Sequence, residues 1–156
     1  MNPMKLGTGL VTFAAAMAVA AVAGAAEVAP DGVEFTDDGV MASLTGQAGD
    51  PAAGAEAFKS RKLGNCLACH ANKDMENELF HGDVGPSLDG VADRWSEAEL
   101  RAIVVNSKKI FSDETVMPGF YSLEVGKEPA EQFVGKTILT AQQVEDVVAY
   151  LATLKE

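Results

Sequence analysis

The sequence predicts a small all-α domain preceded by an irregular N-terminal extension. Two capping boxes, Ser96-Glu97-Ala98-Glu99 and Thr140-Ala141-Gln142-Gln143, each open a segment with apolar residues at helical spacing. Asp50-Pro51 supplies an N-cap and a first helical residue for a third such segment. No βαβ pattern accompanies them.

The elements follow in order. Met1 to Ala25 has the pattern of a secretory signal. Lys5 is its only charge, Leu10 to Val22 is apolar and Ala-rich, and Ala23-Gly24-Ala25 offers a cleavage pattern, with Gly24-Ala25-Ala26 one residue later. Weak hydrophobicity and small residues at its end favour cleavage over an uncleaved anchor. Residues 26–49 are rich in Gly, Asp and Thr, with short apolar pairs such as Val33 and Phe35. They form an irregular extension with at most a short strand or hairpin, as a loose tail or as an arm around a partner. From Pro51, the residues Gly54, Ala57 and Phe58 share one helical face, and Gly54 there either permits another helix to approach or is merely tolerated. Lys59, Arg61 and Lys62 suit the end of that helix, as solvated charges or as a docking face. Gly82 to Leu88 is a Gly/Pro loop. The second helix carries Leu100, Ile103 and Val104 on one face and runs to about Asn106. Ser107 to Val134 is a long loop holding Met117-Pro118-Gly119. The last helix carries Val144, Val147, Val148, Leu151 and Leu154, the strongest amphipathic pattern in the chain.

Charge narrows the partners. The chain has 12 basic and 23 acidic side chains, a net charge of −11. Without the leader, and so without Lys5, 11 basic face 23 acidic side chains, a net of −12. Nucleic acids and anionic membrane surfaces are thereby disfavoured, and partners with basic patches favoured.

The chemistry concentrates in Cys66-Leu67-Ala68-Cys69-His70, which contains both cysteines of the chain. C-x-x-C-H is the spacing for covalent attachment of a c-type haem: two thiols reach two vinyl groups, and the following histidine lies under the iron. A dithiol redox pair favours a βαβ context, and a zinc site needs a further ligand. The haem also supplies much of the core of so small a domain. Attachment occurs on the oxidising side of a bacterial membrane, so the leader and the motif agree on a periplasmic location. His70 is the first axial ligand, and its second ring nitrogen needs an acceptor, for which the Pro86 carbonyl is the candidate. For the opposite face, Met75 is too near His70 in sequence, and Met41 lies in a segment of uncertain fold. Met117, stiffened by Pro118, is preferred, with His81 second and more exposed to solvent. Arg94 and Trp95 are candidates to bind a propionate or, equally, a surface Arg and a core Trp; Tyr121 packs near Met117 or in the loop core. Two axial ligands close the iron, which then passes electrons rather than transforming a substrate.

Gly85-Pro86-Ser87-Leu88, Met117-Pro118 and the helix ending Val147-Val148-Ala149-Tyr150-Leu151, with the haem motif, resemble a class I cytochrome c from about Gly49 onward. The resemblance implies a class I cytochrome c domain over residues 50–156. More narrowly, Gly64-Asn65 before the motif, Gly82-Asp83-Val84 before the Gly-Pro loop and Gly119-Phe120-Tyr121 after Met117-Pro118 resemble the SoxX family. SoxX is the monohaem subunit of the SoxAX cytochromes, which conjugate thiosulfate oxidatively to a cysteine of the carrier SoxYZ (an L-cysteine S-thiosulfotransferase activity). It implies one haem c held by Cys66 and Cys69 with His70 and Met117 as axial ligands, and a SoxA-like catalytic partner subunit. It also implies a soluble cytochrome c as electron acceptor and no catalytic residue on this chain. A free-standing periplasmic electron carrier is the alternative.

Overall fold

The structure, a computed structural model, describes residues 26–124 and 128–156; the leader expected at 1–25 lies outside them. Helix α1 (Pro51–Lys59) starts where Asp50 caps it, its Oδ1 accepting from the Ala52 N–H at 2.8 Å and the Ala53 N–H at 3.4 Å. α1 crosses α4 (Ala141–Leu151), the last helix, at contact distance. Gly54 makes that crossing possible, because a Cβ there would overlap the Asp146 carbonyl of α4. One turn on, Phe58 meets Tyr150 edge to face, with ring centres 5.4 Å apart.

α4 opens with its capping box: the Gln143 N–H donates to Thr140 Oγ1 at 3.2 Å, and the Thr140 N–H to Gln143 Oε1 at 2.9 Å. Val144, Val147, Val148 and Leu151 are buried as the periodicity predicts, and Leu154 is buried just beyond the helix end. Between the two crossed helices in sequence come the short α2 (Val91–Arg94) and α3 (Glu97–Ile110). α3 opens with the Ser96/Glu99 box and buries Leu100 and Val104, with Ile103 only half-buried. It passes the predicted end at Asn106, but that residue is a kink, with φ −157° and ψ 91°. The Asn106 side chain takes over a helical acceptor's role, its Oδ1 accepting from the Lys108 N–H at 3.2 Å.

The extension is no loose tail. Val33, Val40 and Leu44 are buried in the same core as the helices. The Thr36 and Gly39 N–H groups each donate to the other residue's carbonyl at 3.0 Å, closing a tight turn. Gly39 has φ +107°, and a Cβ on it would overlap the Ala98 carbonyl. A buried ion pair then pins the segment. Arg101 on α3 grips Glu145 on α4 through Nε at 2.9 and 3.1 Å and through Nη2 at 3.0 Å. Further bonds of the pair go to the extension: Arg101 Nη1 donates to the Val40 carbonyl at 3.0 Å, and the Leu44 N–H to Glu145 Oε1 at 2.8 Å. Two charges survive burial here because each is paired and hydrogen-bonded further. Among the described residues there is no strand, and no helix is long and apolar enough to cross a membrane.

Candidate functional site

The Cys66 motif follows α1 through a turn closed by Gly64 N–H to the Ala57 carbonyl at 3.1 Å and Asn65 N–H to the Ser60 carbonyl at 3.0 Å. Asn65 sits in the left-handed region, φ 49°, which reverses the chain into a 3₁₀ turn over Cys66–Ala68. The N–H groups of Cys69 and His70 both donate to the Cys66 carbonyl, at 3.1 and 3.0 Å. Both thiols are therefore one turn apart and unjoined. Burial pushes the Cys66 thiol up to about 12.

The Gly82–Leu88 loop lies along the motif. Gly82 N–H donates to the Leu67 carbonyl at 2.7 Å, Gly85 N–H to Cys69 at 2.8 Å and Leu88 N–H to Ala71 at 2.9 Å. His70 Nδ1 lies 2.7 Å from the Pro86 carbonyl. A carbonyl only accepts, so Nδ1 carries the proton and Nε2 keeps a free lone pair. A Cβ on Gly85 would overlap the imidazole, so this glycine lets the loop close onto the ring. Arg94 braces the loop from behind, Nη1 donating to the Asp89 carbonyl at 2.7 Å and Nη2 to the Ser87 carbonyl at 2.9 Å. Two of its five donors are thus committed to protein. Trp95 packs edge to face on Phe111, centres 6.2 Å apart. The Lys73 N–H donates to Asp89 Oδ1 at 2.7 Å and is the main reason that carboxyl lies below its ordinary range.

His81 is not free for the iron. The Asn72 N–H donates to its Nδ1 at 3.2 Å, so its Nε2 carries the proton and donates to the Met75 carbonyl at 3.0 Å. Both ring nitrogens are spent, and the side chain is half-buried rather than solvent-exposed. Asn72 also donates through Nδ2 to Tyr150 Oη at 2.8 Å, and that hydroxyl donates to Asp74 Oδ2 at 2.8 Å. Burial, then the Asp74 bond, pushes the Tyr150 phenol upward. This polar link between the motif's flank and α4 escaped the sequence reading. Its one signal is a tyrosine in an otherwise aliphatic helical stripe.

Met117 is half-buried against the core, while Val116 beside it is 77 % exposed. Its carbonyl accepts from Ser107 Oγ at 2.7 Å, and Lys108 Nζ donates to the Thr115 carbonyl at 2.6 Å. Downstream, the Phe120 and Tyr121 N–H groups donate to Val104 and Val105 of α3, both at 3.1 Å. Tyr121 is buried, and its hydroxyl reaches back to the extension, to the Val28 carbonyl at 2.7 Å and to Glu27 Oε1 at 3.1 Å. Burial pushes that phenol up to about 12.

These residues fit a covalently held haem. The two thiols are free, one imidazole commits Nδ1 to Pro86 and leaves Nε2 for the iron, a thioether lies at the core's edge, and Gly85 makes room against the imidazole. Among the described residues no group of three or more His, Cys, Asp or Glu is placed to hold a bare metal ion, so a zinc reading lacks its further ligand. Beside the motif runs an open groove lined by Arg61, Asn65, Leu67, Ala68, Leu79 and Phe80, among others. Leu79 is fully exposed and Phe80 is 63 % exposed. Lys59 is held there by Glu56 at 2.9 Å and Glu78 at 3.3 Å, while Arg61 and Lys62 remain exposed.

The family model for cytochrome c matches residues 51–155. The chain is similar to one in the crystal structure of SoxXA from P. pantotrophus, with 45 % identity and a TM-score of 0.77, covering 84 % of this chain and 100 % of that one. It is also similar to ferric cytochrome c-550 from Paracoccus versutus, with 24 % identity and a TM-score of 0.37, covering 69 % of this chain and 99 % of that one. No curated protein matches it.

Proposed function

The chain belongs to the cytochrome c family, and within it to the SoxX cytochromes, and from that premise we propose that it is the electron-accepting subunit of a periplasmic thiosulfate-conjugating complex. The bound haem supplies a one-electron redox centre. Cys66 and Cys69 would tether it, and His70 and Met117 would supply the ligands to its iron. Pro86 fixes the His70 tautomer by accepting the Nδ1 proton. Gly85 lets the Arg94-braced loop close directly onto that ring. With that ligand pair in place, substrate would be kept from the iron, leaving the protein the task of orientation and electron passage.

The functional reading rests on the 45 % identity to a chain of the SoxXA structure, and the choice of His70 as ligand rests on the spent histidine. His81 has both nitrogens committed, which leaves His70 as the one imidazole with a lone pair to give among the described residues. The chain has no third cysteine, so the thiol chemistry belongs to a partner. Joining thiosulfate to a carrier thiol releases two electrons and the thiol proton, and a one-haem subunit would accept those electrons singly. The partner is a SoxA-like haem subunit, the sulfur carrier is SoxYZ-like, and a soluble cytochrome c receives the electrons. The likeness to a chain of the SoxXA structure, over the whole of that chain, favours a subunit over a free-standing carrier.

Purification of the tagged chain from a periplasmic extract tests this. It is expected to arrive with a second haem protein and to be reduced when thiosulfate and the carrier are added. A lone monomer that thiosulfate never reduces overturns the proposal and leaves the free carrier.

A further inference from the structure

We propose that Tyr121 is a positioning residue for the Met117 loop, acting through Val28, so that the N-terminal extension governs how firmly the loop stays closed. This rests on Met117 being the second axial ligand. The segment carrying Met117 begins after α3 and reaches α4 only at Ala141, with one 3₁₀ turn, Glu131–Phe133, among its described residues. So long a connection has little stiffness of its own. Close to Met117 it is fixed at one end by Ser107 Oγ on the Met117 carbonyl, 2.7 Å. At the other end the Phe120 and Tyr121 N–H groups hold to α3.

Tyr121 adds a tether of a different kind. Its hydroxyl proton goes to the Val28 carbonyl at 2.7 Å, with the Glu27 carboxylate at 3.1 Å. The Val28 N–H donates to the Leu44 carbonyl at 2.8 Å, and the Leu44 N–H to Glu145 Oε1 at 2.8 Å. Glu145 is itself gripped by Arg101. A continuous run of hydrogen bonds thus leads from the buried ion pair, through the extension, to a residue four positions past Met117. Among the described residues, Tyr121 is where the loop and the extension are hydrogen-bonded to each other. A contact made only in the closed loop lowers the population of loops that have let go, and its loss raises that population by about fivefold, the weight of one intramolecular hydrogen bond.

The test uses the haem-loaded full chain and exogenous imidazole, which competes with the thioether for ferric iron. Tyr121→Phe is expected to bind imidazole about fivefold more tightly. Deletion of residues 26–28 removes the tether from its other end and is expected to give at least as large an increase. In the Tyr121→Phe background that deletion then gains less than it gains alone, by the same fivefold factor. Unchanged imidazole affinity in Tyr121→Phe, even with a lowered unfolding midpoint, marks a purely structural tyrosine and overturns the proposal. Independent effects that multiply in the combined variant overturn the route through Val28. Met117→Ala separates the two levels. It is expected to abolish the thioether-to-iron charge-transfer band in every background; if the band survives, the axial assignment itself has failed.

Discussion

His70 meets its partner Pro86 across 16 residues of chain, whereas Tyr121, just past Met117, meets Val28 across 93. The histidine side is built locally. Its 3₁₀ turn, the Gly82–Leu88 loop and the Arg94 brace all lie between Asn65 and Arg94 and hold one another by short-range bonds. The methionine side is built by tertiary contact, from α3, from the extension and, through Glu145, from α4. The tethered face is therefore ordered largely by its own sequence neighbourhood, with the Asn72–Tyr150 hydrogen bond as its tie to α4. The exchangeable face depends on distant parts of the fold, so mutations far from the iron are expected to loosen methionine before histidine.

The largest effect tests that dependence. Glu145→Ala leaves Arg101 buried without its partner and frees the Leu44 N–H. A loss of about 3–5 kcal/mol in unfolding free energy is expected. Near the denaturation midpoint, the charge-transfer band of the Met117 side should fade before covalent haem or histidine ligation changes. Simultaneous loss of both signals would mean that the two sides are one cooperative unit.

Gly85→Ala attacks the other side. Its Cβ would overlap the His70 imidazole, so ring or loop must shift, at about 1–3 kcal/mol. Chemical denaturation gives the energy. Electron paramagnetic resonance of the ferric protein gives the ring orientation, which should change here and stay fixed in Glu145→Ala.

Met117→Ala should cost less in stability, about 1–2 kcal/mol, because the side chain is only half-buried. It should nevertheless lower the reduction potential and open the iron to cyanide. A spectrum identical to that of the parent chain would place the ligand elsewhere and remove the basis of the comparison.

What the sequence disclosed divides along the same line. The haem motif, the Gly-Pro loop and both capping boxes depend on neighbours a few residues away, and spacing reports such neighbours, whereas the role of Gly54 stayed open because its partner Asp146 is remote in sequence. Arg101 and Glu145 were invisible because a charge on an amphipathic helix ordinarily marks its wet face. Only the fold brings these two together, across 44 residues. The extension was undecidable for a similar reason: its bonds run largely through backbone groups of Val28, Val40 and Leu44, which every sequence possesses. His81 passed for an exposed loop histidine because its partners are also backbone, the Asn72 N–H and the Met75 carbonyl.

The smallest effect concerns pH and the histidine side. Asp89 accepts from the Lys73 N–H at 2.7 Å, and its carboxyl lies below the ordinary range chiefly because of that bond, helped by Ser87 and by the charges of Lys73 and Arg94. A carboxyl depressed in the folded state adds stability that is complete above its unfolded value, about 3.9, and is lost as pH falls through the lower folded value. Its contribution should therefore be intact at neutral pH and decline below about pH 4. Asp89→Asn keeps an oxygen for the Lys73 N–H without the charge, so the gap between parent and variant should narrow as the pH drops through that window. Denaturant midpoints of both proteins from neutral pH downward give this difference, in which the other carboxylates cancel. A gap constant with pH would mean that Asp89 supports the loop behind His70 by shape alone.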